Sequence, residues 1–331
     1  MGVLYSYDGA AVRAVDVPRA GALRFAAWAP DGASALVVGN RGEVLRFTAP
    51  SSFERLAAGV TSNLRGAAWA PDGAHAIVVG NRGCVLVFDG ASFRTIAAPT
   101  SENLRRAAWS PDGSCALIVG NGGVVLRYDA ATGALAPLPG DRAHTMRSVA
   151  WRPDGAYALI GGYASRHAGY PRPYVVYRCD GRFVQGILAT DDEDDAIAIE
   201  WRPGAHPARA LILVTRSGEI DEPMPGKVVE YDGAGFGYRT VPRLMRRSSG
   251  GDSSRTVIGD VVQLLGLGWH PSGEYALLCG ERGKLLTWDG TSMKQVRSGV
   301  TDSLVGPYWQ PAVAQPIALL LRGPDDRVYT V

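Results

Sequence analysis

What most constrains this chain is a tryptophan that returns on a near-constant period. Trp28, Trp69, Trp109, Trp151, Trp201, Trp269 and Trp309 follow one another at 41, 40, 42, 50, 68 and 40 residues, the first four inside the string A-W-x-P-D-G. A unit of about 40 residues cannot bury its own apolar faces, so the seven units must stack on one another. The second unit shows what each contains. NLRGAAW is followed by the turn PDG, then AHAIVVGN, RG, CVLVFD, GA and SFRTIAAP. Each segment is short, rich in Val, Ile, Leu or aromatics, and bounded by Gly, Pro, Asp or Asn, which is the pattern of a strand. No segment keeps the 3.6-residue apolar period of a helix. Four strands per unit, here A to D, therefore form an antiparallel meander.

Radial stacking of such units predicts an all-β, seven-bladed β-propeller of four-stranded antiparallel blades. A strand ending in Trp, a P-D-G turn, an apolar strand ending in Gly and a strand ending in aromatic-Asp run through AAWSPDGSCALIVGNGGVVLRYD and recur at Trp288-Asp289. This pattern resembles the WD40 repeat over nearly the whole chain. It departs from that repeat in lacking Gly-His before most A strands and in placing Asn-Arg-Gly or Asn-Gly-Gly where an Asp is expected in the B–C turn. The resemblance implies a rigid, non-catalytic scaffold for protein partners. The chain reads as a single domain over 1–331. Asp8 stands 20 residues before Trp28, as Asp89 does before Trp109, so the strands within 3–17 read as C and D of a blade that the C-terminus supplies with A and B. Arg327 to Val331 competes with the N-terminal strand for position C of that closing blade, and the pattern leaves both open.

The repeat is enlarged in three places. From Trp to the Asp ending strand C the interval is 20 residues in regular units but 29 from Trp151 to Asp180 and 31 from Trp201 to Asp232, and Asp232 to Trp269 spans 37. The extra residues fall at about 163–173, 215–226 and 242–260. In a meander the B–C and D–A connections share one face, so all three enlargements belong to the same face of blades 4 to 6. Loops on a rigid frame carry function disproportionately, and aromatic, Met and Arg side chains are the expected contacts. The candidate partner-binding residues are Tyr163, Arg166, His167, Tyr170, Arg172, Met224, Leu244, Met245, Arg246 and Arg247. Arg246 to Ser249 also forms a weak basophilic phosphorylation motif.

Charge collects on the same face. Four residues before the periodic Trp stand Arg24, Arg65, Arg105 and Arg147, then Ile197, Leu265 and Val305, which strict alternation would put on the same side as the Trp. With Arg41, Arg82 and Arg282 in B–C turns they make an anion-binding candidate at the channel mouth, for carboxylate, phosphate or nucleic acid. The competing reading is that each Arg bonds nearby loop groups, including Asn40, Asn63, Asn81, Glu102 and Asn103. The run DDEDD contains Asp191, Asp192, Asp194 and Asp195, a weak cation-site candidate that lacks the EF-hand spacing and otherwise reads as a solvated loop.

Catalysis finds little support in the pattern. Strand A ends mainly in Ala, Gly and Val before the Trp, Glu200 being the carboxylate there, and the five His show no H-x-x-x-H pair. The Gly-rich B–C turns join strands and lack the following helix that receives phosphate. Cys84, Cys115, Cys179 and Cys279 belong to different units and read as small buried residues of a reducing compartment. With 34 Lys+Arg against 32 Asp+Glu, the near-neutral balance excludes a polyanion-coating tail. The N-terminal MGVLYSYDG has no signal-peptide pattern, and no apolar run is long enough to span a bilayer. The expectation is a cytoplasmic, monomeric binding protein without cofactor or membrane contact, whose partner is a protein; a nucleic acid or other anionic ligand is less favoured, and a propeller hydrolase, lyase or lectin least.

Overall fold

The protein is described from a computed structural model over residues 2–141, 145–163, 174–189, 194–216, 227–241 and 263–323. These residues form five separate four-stranded antiparallel sheets and one of eight strands. In blade 1 the strands are Leu23–Trp28, Ala35–Gly39, Val44–Thr48 and Ser52–Arg55, paired in chain order from A to D. The blade closing the ring pairs Leu304–Trp309 and Ala318–Arg322 with the N-terminal Leu4–Tyr7 and Val12–Val15. Leu4 faces Leu321 and Tyr7 faces Ala318 across that joint. The N-terminal segment therefore occupies position C, and Arg327 to Val331 lie outside the described residues.

Strand B explains why the blades must stack. Its sequences ALVVG, AIVVG, CALIVG and ALLCG are buried at every position, so both sheet faces are covered and the apolar run is continuous rather than alternating. Seven apolar clusters hold the molecule together, each drawn from two neighbouring blades. The last of the seven joints packs Leu4, Val15, Leu319 and Leu321 against Leu23, Val37 and Phe47. At ~1.5–3 kcal/mol for each large aliphatic or aromatic side chain removed from water, these interfaces outweigh any single polar contact.

Polar contacts set the register between blades. The indole Nε1 of Trp28 donates to the Tyr308 carbonyl at 3.1 Å, Trp69 to Ala27 at 3.2 Å, Trp109 to Ala68 at 3.1 Å and Trp151 to Ala108 at 3.2 Å. Trp201 and Trp309 do the same to Ala150 and Gly268. Each acceptor is the residue before the Trp of the preceding blade. Trp269 breaks the series, its indole nitrogen being buried with no acceptor among the described residues. The joint of blades 5 and 6 instead uses Arg202, whose Nε donates to the Gly273 carbonyl at 2.8 Å and whose guanidinium lies 5.1 Å over the Trp269 ring.

The Asp at the end of strand C, which follows an aromatic except in Cys179-Asp180, has a separate task. The carboxylates of Asp8, Asp89, Asp129, Asp180, Asp232 and Asp289 accept backbone N–H groups two or three residues on and so fasten the C–D turns. These N–H donors hold the Asp89, Asp180 and Asp289 carboxyls below their ordinary value. Such a group stabilises the fold fully above the unfolded-state pKa, and the contribution fades as pH falls through the lower folded value.

Two outcomes follow. Urea unfolding should show Trp109→Phe costing about 1 kcal/mol more than Trp269→Phe, because only the former loses a made hydrogen bond; equal losses would deny the indole ring its role. Asp289→Asn should lower the urea midpoint at neutral pH, and the gap to the parent protein should narrow below about pH 4. A gap independent of pH would contradict the capping by a charged group.

Candidate functional site

The innermost strands surround a central channel of about 850 Å³. Its wall is mainly apolar, small Ala and Gly alternating with the seven periodic Trp, and its polar side chains include Arg106, Ser148, Glu200 and Tyr308. Most of these are engaged. Arg106 Nη1 donates to the carbonyls of Arg65 and Arg105 at 2.8 and 2.9 Å, and its guanidinium lies 4.5 Å over Phe25, which meets Tyr308 edge-on at 4.6 Å. Ser148 Oγ accepts the Ile199 N–H at 3.0 Å. Glu200 is exposed to the channel, and desolvation by the surrounding wall raises its carboxyl to about 7.

The mouth on the B–C and D–A face is shaped by a repeated irregularity. In six blades strand A carries an extra, unpaired residue: Arg24, Arg65, Arg105, Arg147, Ile197 and Leu265. In blade 7 the break lies at Gly306-Pro307, beside Val305. A bulge resets the alternation and re-aims its side chain. The unbroken alternation assumed for these arginines therefore does not hold at this position. The residue one position earlier takes the interior place, as Leu23, Leu64, Leu104, Met146, Ala196, Leu264 and Leu304 are all buried. All seven residues at the bulge position are half-buried, and Ile197, Leu265 and Val305 line the channel.

The structure reconciles the two readings of the arginines. Arg24 Nε donates to Asn40 Oδ1 at 3.0 Å, Arg105 Nε to Asn121 Oδ1 at 2.8 Å, and Arg65 Nε to Asn81 Oδ1. Arg147 instead forms an ion pair with Asp195, Nε to Oδ2 2.7 Å. Arg24, Arg65 and Arg105 are thus each held by a hydrogen bond from the inner nitrogen, and their terminal nitrogens have no hydrogen bond among the described residues. Burial, then Arg65, Arg147 and Arg106, lower Arg105 to about 10, and burial with Arg24 and Arg106 lowers Arg65. Arg41, Arg82 and Arg282 stand apart from this cluster on exposed turn tips, at φ of 58°, 57° and 51°. Asn63 and Asn103 accept the backbone N–H of Arg41 and Arg82 rather than a guanidinium.

The acidic run is also redrawn. Asp194 and Asp195 begin strand A of blade 5 and are buried, which corrects the solvated loop for these two. Asp194 pairs with Lys227 Nζ at 3.2 Å and Asp195 with Arg147. Burial raises Asp195 to about 6 against the pull of Arg147 and Arg105. Asp195 meets Arg147 through Oδ2 alone, its Oδ1 being buried without a hydrogen-bond partner among the described residues, and Asp191 and Asp192 lie outside the described residues. Asp195 also bridges Tyr163 of the preceding blade, fusing blades 4 and 5 into the eight-stranded sheet.

Of the partner-binding candidates, Tyr163 ends strand B of blade 4 and is half-buried. Arg166, His167, Tyr170, Arg172, Met224, Leu244, Met245, Arg246 and Arg247 lie outside the described residues. Sequence reasoning missed Tyr174, which opens strand C of blade 4 on this face with 39% exposure, although an aromatic flanking an insertion was the available signal. On the opposite face a groove between blades 3 and 4 is lined by Asp112, Asp129 and Asp180. Those carboxylates are committed to their own turns.

Like charges held together at a mouth are a cost to the fold. Arg65→Gln should leave the thermal midpoint unchanged or raise it, and any gain should shrink with added salt. A fall of several degrees would show that the arc is a structural device.

No protein-family model matches the sequence, and no curated protein matches it. Solved structures resemble it in fold. The structure described as YCF48 bound to D1 peptide is 14% identical with a TM-score of 0.66, and the match covers 95% of each chain. Hydrazine synthase of Kuenenia stuttgartiensis is 16% identical with a TM-score of 0.61, over 83% of this chain and 80% of that one. The Cps50 (Swd1) β-propeller domain of Myceliophteria thermophila is 13% identical with a TM-score of 0.62, over 93% and 98%. Strand order, ring closure and these likenesses together make the fold of this chain a WD40-like β-propeller.

Proposed function

We propose that the protein is a non-catalytic, monomeric, cytoplasmic scaffold of one domain that binds a protein partner on the face carrying the B–C and D–A connections of blades 4 to 6. The supporting observation is the inequality of the two faces. Strand B of blade 4 ends at Tyr163 and strand C resumes at Tyr174, strand B of blade 5 ends at Arg216 and C resumes at Lys227, and strand D of blade 5 ends at Thr240 before A of blade 6 begins at Leu264. All three long intervals leave from one face, whereas the A–B and C–D turns opposite stay short and fastened. The likeness to a peptide-bound propeller agrees with a binding role, while hydrazine synthase shows that the fold alone does not decide function. Among the described residues no helix is long and apolar enough to cross a membrane. The four cysteines lie in different blades with free thiols, as suits a reducing compartment.

Affinity purification from the native host tests the proposal when three chains are compared: the parent, Arg246→Glu/Arg247→Glu, and Phe183→Ser on the opposite face, where Phe183 is 51% exposed. The double substitution should reduce recovery of the partner while the melting temperature stays within a few degrees. Recovery lost only with Phe183→Ser, or unchanged in both variants, would refute the assigned face.

A further inference from the structure

The ring of residues at the strand A bulges is divided into two halves. Blades 1 to 4 contribute Arg24, Arg65, Arg105 and Arg147, and blades 5 to 7 contribute Ile197, Leu265 and Val305. Asp195 pairs with Arg147 and attracts Arg105 from farther off, so Arg24, Arg65 and Arg105 have no ion pair of their own among the described residues. Their inner nitrogens are held on Asn40, Asn81 and Asn121, which fixes the forks in place before any ligand arrives. An anion bound there would meet pre-set donors and pay little ordering entropy.

We propose that this mouth recognises an extended acidic and aliphatic peptide segment of a protein partner. The carboxylate of an aspartate or glutamate side chain docks on Arg24, Arg65 and Arg105, and the aliphatic side chain next to it docks on Ile197, Leu265 and Val305. The match comes from backbone geometry. In an extended chain successive side chains point in opposite directions, so an acidic residue and its aliphatic neighbour face the two opposing halves of the ring at once. A nucleic acid fits less well. Its phosphates need a continuous cationic track and its bases an aromatic platform, yet the three adjacent apolar positions interrupt the track and none of the seven residues is aromatic.

The inference deepens the protein-binding reading, since it names the chemistry that such a partner presents at the mouth. It concerns residues other than the insertions, so the two can fail separately. The probe is an acetylated and amidated Gly-Ser peptide carrying a central Glu-Leu-Glu-Leu, labelled for fluorescence anisotropy. Capped ends leave the side-chain carboxylates as its acidic groups. Changing both Glu to Gln, or both Leu to Ser, should weaken binding at low salt by about tenfold or more. Arg65→Gln/Arg105→Gln should weaken the parent peptide to a similar degree, with folding checked by thermal melting. Asp195→Asn provides the complementary variant, because freeing Arg147 adds a fourth unbalanced guanidinium and should tighten binding severalfold. Binding that is indifferent to the Glu residues and to Arg65 and Arg105 would overturn the proposal. So would tighter, Arg-dependent binding of a single-stranded RNA oligonucleotide. No binding of the peptide by the parent protein, with partner recovery still dependent on Arg246 and Arg247, would sink the mouth site alone, and the reverse result would sink the assignment of the insertions.

Discussion

Everything in this molecule depends on covering both faces of strand B. A sheet whose central strand reads ALVVG or AIVVG and is buried at every position has no polar side to turn to water, so each blade is incomplete until a neighbour lies on either side of it. Repetition satisfies that need everywhere except at the two ends of the chain. The ends satisfy it by sharing a blade, with Leu4–Tyr7 set beside Ala318–Arg322. Burial supplies most of the stabilisation, and the indole-to-carbonyl bonds choose which residues meet. The exception at Trp269, with an orphan indole nitrogen, falls at the joint preceded by the longest connection in the chain.

Crowding at the ring centre explains the site as well. Strand A sits closest to the axis, and a side chain four residues before the Trp would, under strict alternation, enter the core between blades. An arginine cannot be placed there without a partner for its charge. The bulge moves it out to the mouth and lets Leu23, Leu64 or Leu104 fill the interior place. The same device in blades 5 and 6 delivers Ile197 and Leu265. Fold and recognition surface thus arise from one backbone feature, and the side chain at the bulge is free to vary without disturbing the packing behind it.

Much of this was legible in the sequence. The Trp period pointed to a ring of stacked four-stranded units, Gly, Pro and Asp marked the turns, and the spacing of Asp8 before Trp28 read the N-terminal strands as C and D while leaving Arg327 to Val331 as a rival for position C. The bulge was missed because a period-2 reading assumes unbroken alternation. Its mark in LRGAAW is that Leu64 and Ala67 join the same core cluster, an odd separation that no regular strand can place on one face. The acidic run was misread for a different reason. Whether Asp194 and Asp195 lie in a loop or a strand depends on Lys227 and Arg147 arriving from elsewhere in the chain, and local composition carries no record of that.

Hydrogen–deuterium exchange, read by mass spectrometry with and without the capped Glu-Leu-Glu-Leu peptide, tests the central claim that recognition belongs to the bulged mouth of the ring. The account expects slowed exchange in the segments 22–25, 40–43, 63–66, 81–84 and 103–106, which carry the arginines and the B–C turns around them. Protection confined to the A–B or C–D turns of the opposite face, or spread evenly over the blades, would contradict it.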